Sequence, residues 1–525
     1  MRHFLLVVFV FAQLIGLQQF AQAQTSPCNS PNGNLFNLEP RPNAVVQIAR
    51  SIAVLPNPAG NNNLVVAVGE DERASENLAP IISGDAFYVE RSGSNCTPDF
   101  EGGLPAIDNP FNLFVPNGSV SVVADPARDQ FFIVDQDFGG APDENGVGIY
   151  QTTAANLNST SACPSGTEFG TASCFTTVAV VNITGLNAIL DNPQIAVDPR
   201  TTGVGAGDLY AVVTERNSDN TSFHISLTAC TNGLNCGNAI SISPKNEKDP
   251  DFAWVQVRPD GGITISYRNT TFPGENKEEI EFVTCTPAGA PNPPTCKSPV
   301  LVTTVKTPVF DNLIGDLPMT DELYPRHVNR LESDNKTVTT FMVYDQCDVA
   351  PIQPHGIGGS FGVEGSFGVG GSFCPKTDVV MTSSTDDGAT WSPLTKVSSS
   401  AGQQFFGAIA NDTSTGTVNI AYYSTENDFF QIRPQVFLAQ ILPGTTSVGT
   451  PQMLTSANAD VQATPPISFD VQPTFFGSQI GVAALGTGIA GQSTAYVSFT
   501  WNSVAGTYNG VSSPDVNNHL ATFHY

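Results

Sequence analysis

The feature that most constrains this chain is a strand–turn–strand unit met seven times between residues 44 and 525, about 70 residues apart. Its first half is an apolar segment running into a Pro, Asp or Asn turn, as at residues 51–58, 121–126, 194–199 and 254–260. A second apolar strand follows, at 64–68, 130–134, 208–213, 263–267, 339–344, 417–422 and 480–484. A unit of this length holds four short strands with generous loops. Stacking such sheets around a ring buries their faces against one another. The expectation is an all-β protein, a β-propeller of four-stranded blades, with seven blades and six as the alternative. Two tandem β-sandwiches would leave the single repeat unexplained. No segment keeps an apolar stripe of helical period for three turns.

Composition narrows the partners. Lys+Arg number 21 against 48 Asp+Glu, a formal charge of −27 that repels phosphate backbones, so no nucleic acid is expected as a ligand. Charged residues are only 13 %, while 47 Gly and 39 Pro suit turns and disfavour a helical bundle. The first 23 residues read as a secretory signal peptide. Arg2 and His3 are basic, 4–17 is apolar apart from Gln13 and Gly16, and Ala21 and Ala23 are the small residues before the cleavage point. That run is too short to cross ~30 Å of hydrocarbon, so no membrane span is expected. The organisation is then a signal peptide at 1–23, an N-terminal extension at 24–43 and a propeller at 44–525. The expected location is secreted, extracellular, or periplasmic in a bacterium.

Ten cysteines fit an oxidising compartment. None lies at zinc spacing. Nearest-neighbour pairing gives Cys163/Cys174, Cys230/Cys236, Cys285/Cys296 and Cys347/Cys374, with Cys28/Cys96 remaining; the simplest proposal is five disulfides. The pairs 163/174, 230/236 and 285/296 fall near the far end of their repeats, where they would staple outer hairpins. Eight Asn-x-Ser/Thr sequons, Asn269, Asn335 and Asn411 among them, would carry glycans only in a eukaryotic source.

In the fifth repeat the staple position holds Ser384-Thr-Asp386-Asp-Gly388-Ala-Thr390-Trp391. This matches the Asp-box, Ser/Thr-x-Asp-x-Gly-x-Thr-Trp/Phe, at every defined position. Its chemistry is structural: the carboxylate accepts backbone N–H groups to close a turn, the glycine tolerates positive φ, and the indole buries between strands. By motif and repeat the chain resembles the Asp-box (BNR repeat) propellers, the superfamily that includes sialidases. Residues 226–233 and 92–98 look like eroded copies. The resemblance places such boxes on the rim, away from any active site.

It also implies a chemistry to look for. Sialidases hold a substrate carboxylate with three arginines and use a Tyr nucleophile activated by a Glu, with an Asp as acid/base. The family's Arg-Ile-Pro start corresponds to Ala49-Arg50-Ser51-Ile52-Ala53, which keeps the arginine and lacks the Ile-Pro. Arg50, Arg216, Arg268 and Arg326 are the candidates for the cluster, with Arg330 beside them. Tyr267 is the phenol candidate, with Tyr344, Tyr422 and Tyr423 at comparable strand positions. Convergence of Arg50 with Arg216, Arg268 or Arg326 would favour a hydrolase.

Asp135, Asp137 and Asp143 stand in an acidic, Gly-rich stretch compatible with Ca²⁺ but lacking EF-hand spacing; a solvated loop is the alternative. Asp311, Asp316, Asp321 and Glu322 offer the same two readings. No cofactor is required by any motif. The low-complexity insertion 355–373 carries Phe361, Phe367 and Phe373 between Cys347 and Cys374, as a binding loop or a tolerated expansion. No Ser/His/Asp set, HExxH, Walker or Rossmann motif is present. The expected function is an extracellular module that binds a glycan or protein ligand. The alternative is an exo-acting glycoside hydrolase of sialidase type.

Overall fold

A strand buried on both faces needs apolar residues at consecutive positions, and the second strand of each repeat supplies them. In Gln130–Gly139, Phe131 and Ile133 enter one core cluster while Phe132 and Val134 enter the next. Complete burial of such a side chain contributes about 1.5–3 kcal/mol. The same demand, met around a ring, produces the architecture.

The structure is a computed structural model that describes residues 29–30, 33–37, 47–56, 63–71, 84–90, 100–109, 112–116, 119–139, 145–163, 172–184, 188–217, 223–244, 247, 249–270, 277–306, 324–347, 376–429, 433–455, 479–486, 488, 492–508 and 511–525. They form seven antiparallel sheets, the blades of a propeller. Blade 1 runs Gln47–Pro56, Asn63–Asp71, Gly84–Glu90, Phe100–Gly103. Blade 2 is Ser121–Asp125, Gln130–Gly139, Asn145–Thr153 and Thr177–Thr184; a hairpin, Ile107–Asn109 with Asn112–Pro116, is added to its second strand. Blade 3 is Ala188–Val197, Leu209–Asn217, Phe223–Cys230 and Ile240–Ser241. Blade 4 is Pro250–Val257, Ile263–Thr270 and Lys277–Thr286, edged by Thr295–Cys296 and Val300–Lys306. Blade 5 is Arg326–Leu331, Val338–Cys347, Thr377–Ser384 and Thr395–Lys396. Blade 6 is Gln404–Asp412, Thr417–Ser424, Gln435–Ile441 and Gln452–Met453.

Blade 7 closes the ring with both ends of the chain. Gly481–Leu485, Thr494–Tyr508 and Val511–His524 are joined by the N-terminal strand Gly33–Asn37, in the register Leu35 to Ala521, Phe36 to Leu520 and Asn37 to His519. The sheet thus draws a strand from ahead of residue 44. The repeat segment at 480–484 overlaps the first strand of its blade rather than the second, which is Thr494–Tyr508. Seven apolar clusters fill the seven blade-to-blade interfaces, the last joining Ile52, Val54 and Tyr88 of blade 1 to Tyr496 and Leu520 of blade 7.

Among the described residues three disulfides lie on the third-to-fourth connections. Cys230–Cys236 ties the end of a third strand to the approach of the fourth, and Cys285–Cys296 ties a third strand to the short edge strand beside it. Cys163–Cys174 closes the loop between the third and fourth strands of blade 2. Cys347 is also disulfide-bonded. Cys28, Cys96 and Cys374 lie outside the described residues, as do the signal segment, Asp143, the second acidic loop at 311–322 and the 355–373 insertion. Among the described residues no helix is long and apolar enough to cross a membrane.

Candidate functional site

In an antiparallel blade the first strand begins at the end of the ring where the second finishes and the third starts. The first-to-second turns and third-to-fourth hairpins lie at the opposite end. The innermost strands bring their beginnings together at a mouth, where loops from several blades converge.

The backbone is distorted at this mouth in a repeated way. Register shifts interrupt the first strands of blades 1, 3, 4 and 6 after Ala49, Asp191, Asp251 and Phe405. Asn192, Phe252 and Phe406 take φ of 52°, 52° and 56°, a conformation costing on the order of 1–3 kcal/mol for a residue with a side chain. Carboxylates hold each one. Asp191 accepts the Asn192 N–H at 2.9 Å and Asp251 accepts the Phe252 N–H at 2.8 Å. Asp345 of blade 5 reaches across to accept the N–H groups of Phe406 and Gly407 in blade 6.

Asp251 is the hub. It also accepts the Thr214 hydroxyl at 2.6 Å and the Asn192 amide at 3.4 Å, both from blade 3, and lies 3.9 Å from the Arg268 guanidinium. Arg268 donates to Glu278 at 3.0 Å and stacks over the Phe252 ring at 4.3 Å. The Tyr324 hydroxyl crosses from blade 5 to Asn192 at 2.9 Å, and its ring packs 4.4 Å from Phe252. Arg216 is ion-paired with Asp191. Asp249, on the connection entering blade 4, has its pKa raised by burial, with Asp251 adding to the shift and Arg268 and Arg216 opposing it.

The sequence candidates therefore separate. Arg216 and Arg268 come together around Asp249 and Asp251. Arg50 is buried at the mouth end of blade 1. Arg326 is a cross-strut: it donates to the Ile480 carbonyl and to Gln479 of blade 7 at 2.9 Å, and stacks on Trp254 and Tyr324. Tyr267 is fully buried between blades 3 and 4 and donates to Glu247 at 2.9 Å. Burial, reinforced by carboxylates at Glu247 and Glu281, drives its pKa far up, so the phenol stays protonated. Tyr344 and Tyr422 are buried in the interfaces with their preceding blades, and Tyr423 faces blade 7. Asp135 and Asp137 are fully buried at the end of a blade 2 strand rather than in a solvated loop, with the Tyr150 hydroxyl donating to Asp137 at 3.4 Å. Of the sequons, Asn269 is buried and Asn335 is exposed at a turn tip.

The turn at Ser384–Trp391 lies at the opposite end of the ring. Asp386 accepts the Thr390 N–H at 2.9 Å and its hydroxyl at 2.6 Å; Ser384 donates to Asp386 and accepts the Gly388 N–H. Gly388 sits at φ 81°, where a Cβ would overlap the Phe282 ring, and Trp391 packs on that ring at 5.1 Å. Sequence reasoning singled out these residues but missed the hub, Asp251, and its partners Asn192, Thr214 and Glu278. The legible signal was an Asp near the start of the first strand in two successive repeats, Asp191 and Asp251.

No protein-family model matches the chain, and no curated protein matches it. Among solved structures it is similar to a protein of unknown function from Dyadobacter fermentans, at 9% identity and TM-score 0.43, covering 95% of this chain and 100% of that one. It is also similar to the polysaccharide lyase Uly1, at 11% identity and TM-score 0.41, covering 96% of this chain and 94% of that one. A Hadza microbial sialidase, Hz136, matches at 7% identity and TM-score 0.40, over 85% of this chain and 74% of that one.

Proposed function

We propose that this protein is an extracellular propeller that binds neutral glycans at the mouth of blades 3, 4 and 5, without sialidase turnover. The observation that carries the reading is that Arg216 and Arg268 are already neutralised by Asp191, Asp251 and Glu278. A sialic carboxylate would have to displace a carboxylate of the protein at each. Sugar hydroxyls need not, because each donates to a carboxylate while accepting from a guanidinium. Phe252 and Tyr324 supply apolar ring surface beside those groups. The cysteine pairs and the signal-like first 23 residues support export. Fold alone does not select a function, so the chemistry of the mouth is the warrant. A fluorogenic sialoside incubated with purified mature protein is expected to stay intact. Hydrolysis abolished by Arg268→Ala would overturn the reading and install a hydrolase in its place.

A further inference from the structure

A second polar cluster lies within the blade 3–blade 4 interface. Strand alternation turns Glu279, Glu281, Val283 and Cys285 toward blade 3, and pairing sets Tyr267 opposite Glu281 and Asn269 opposite Glu279 on that same face. Glu247 enters from the connection between the blades, with one oxygen accepting the Tyr267 hydroxyl at 2.9 Å. Its other oxygen is buried without a partner, and so is the Asn269 amide oxygen, on a side chain 4% exposed. Glu281 is 9% exposed. Burial pushes Glu247 and Glu281 each up to about 7, and Glu279 repels both. Buried oxygens are ordinarily satisfied, and among the described residues these two, one from Glu247 and one from Asn269, are not.

We propose that Glu247, Glu281 and the Asn269 amide oxygen hold a calcium-type divalent cation between blades 3 and 4. The donors are all hard oxygens, with neither His nor Cys, which suits Ca²⁺. Among the described residues no three His, Cys, Asp or Glu side chains are grouped for a metal; this set takes two carboxylates and one amide, with Glu279 adding charge. So few charged ligands place the affinity at about 10⁻⁴–10⁻³ M, the range of extracellular modules. The site does not depend on the glycan reading.

The test uses the full mature protein, stripped with chelator. Millimolar Ca²⁺ is expected to raise the thermal midpoint by mass action, and Glu281→Gln or Asn269→Leu to abolish the rise. Terbium excited through tyrosine is expected to emit from the wild type, with Ca²⁺ displacing it and Tyr267→Phe dimming it severalfold. Where Glu281→Gln does not fold, Tyr267→Phe and Asn269→Leu carry the test. An absent Ca²⁺ response, or one that survives these substitutions, overturns the proposal; survival would point elsewhere, for instance to Asp135 and Asp137.

Discussion

At the scale of single residues, buried polar groups decide how stability responds to its surroundings. His327 is wholly buried between Ser266, 2.7 Å from Nδ1, and Thr264, 2.9 Å from Nε2. Burial lowers its pKa to about 3. The unfolded chain therefore takes up a proton here near pH 6.5 that the folded protein refuses, and stability falls as pH drops from 6.5 toward 3, by about 1.4 kcal/mol per pH unit at full effect. Glu247 and Glu281 act oppositely: with folded values raised to about 7, they lend stability below pH 4.5 that is lost as pH rises through 7. Thermal midpoints at pH 7 and pH 5 are expected to fall less for His327→Gln than for the wild type; equal slopes would show that His327 is not the group responsible. Gly388→Ala adds a methyl where φ is positive and the Phe282 ring already fills the space. It is expected to cost about 1–3 kcal/mol in denaturant unfolding.

At the scale of elements, the turns opposite the mouth form a relay of arginines. Arg128 pairs with Asp125 and donates to the Arg200 carbonyl of blade 3 at 3.0 Å. Arg200 pairs with Asp198 and donates to the Asp260 carbonyl of blade 4 at 2.6 Å. Arg258 pairs with Asp260 and with Asp387 of blade 5. Arg330 pairs with Glu332 and donates to the Leu442 and Thr445 carbonyls of blade 6 at 3.1 and 2.7 Å. Exposed ion pairs of this kind contribute little, but Arg330 is 2% exposed and lies 4.6 Å from the Phe341 ring. Arg330→Ala would leave two carbonyls of the next blade without their donor and is expected to cost about 2–4 kcal/mol; a loss below 0.5 kcal/mol would remove it as a brace. The repeated apolar pairs made the blades legible in the sequence, because both faces of each inner strand must be buried. The braces were not legible: Arg128, Arg200 and Arg258 stand beside turn residues that look solvated, and their partners in the next blades belong to other repeats 60–129 residues away. The same limit hid Asp251, whose role comes from Thr214 and Asn192 on a neighbouring blade.

At the scale of the whole molecule, the ring is closed by pairing the two ends of the chain. Beginning the protein at residue 44 would strip Gly33–Asn37 from blade 7 and expose the edge of Val511–His524. The truncated chain is expected to melt at least several degrees lower and to self-associate in light scattering; an unchanged midpoint would show that blade 7 holds without its N-terminal strand. Closure also fixes the mouth, since Arg326 of blade 5 rests on Gln479 and the Ile480 carbonyl at the entry to blade 7. The measurement that bears most directly on the account is a glycan-array profile of the mature protein beside Arg268→Ala. Binding to neutral glycans, weakened about tenfold or more by the substitution, is the predicted result, a loss of ~1.4 kcal/mol. Folded wild-type protein that binds no neutral glycan, or binds only sialylated ones, would contradict it.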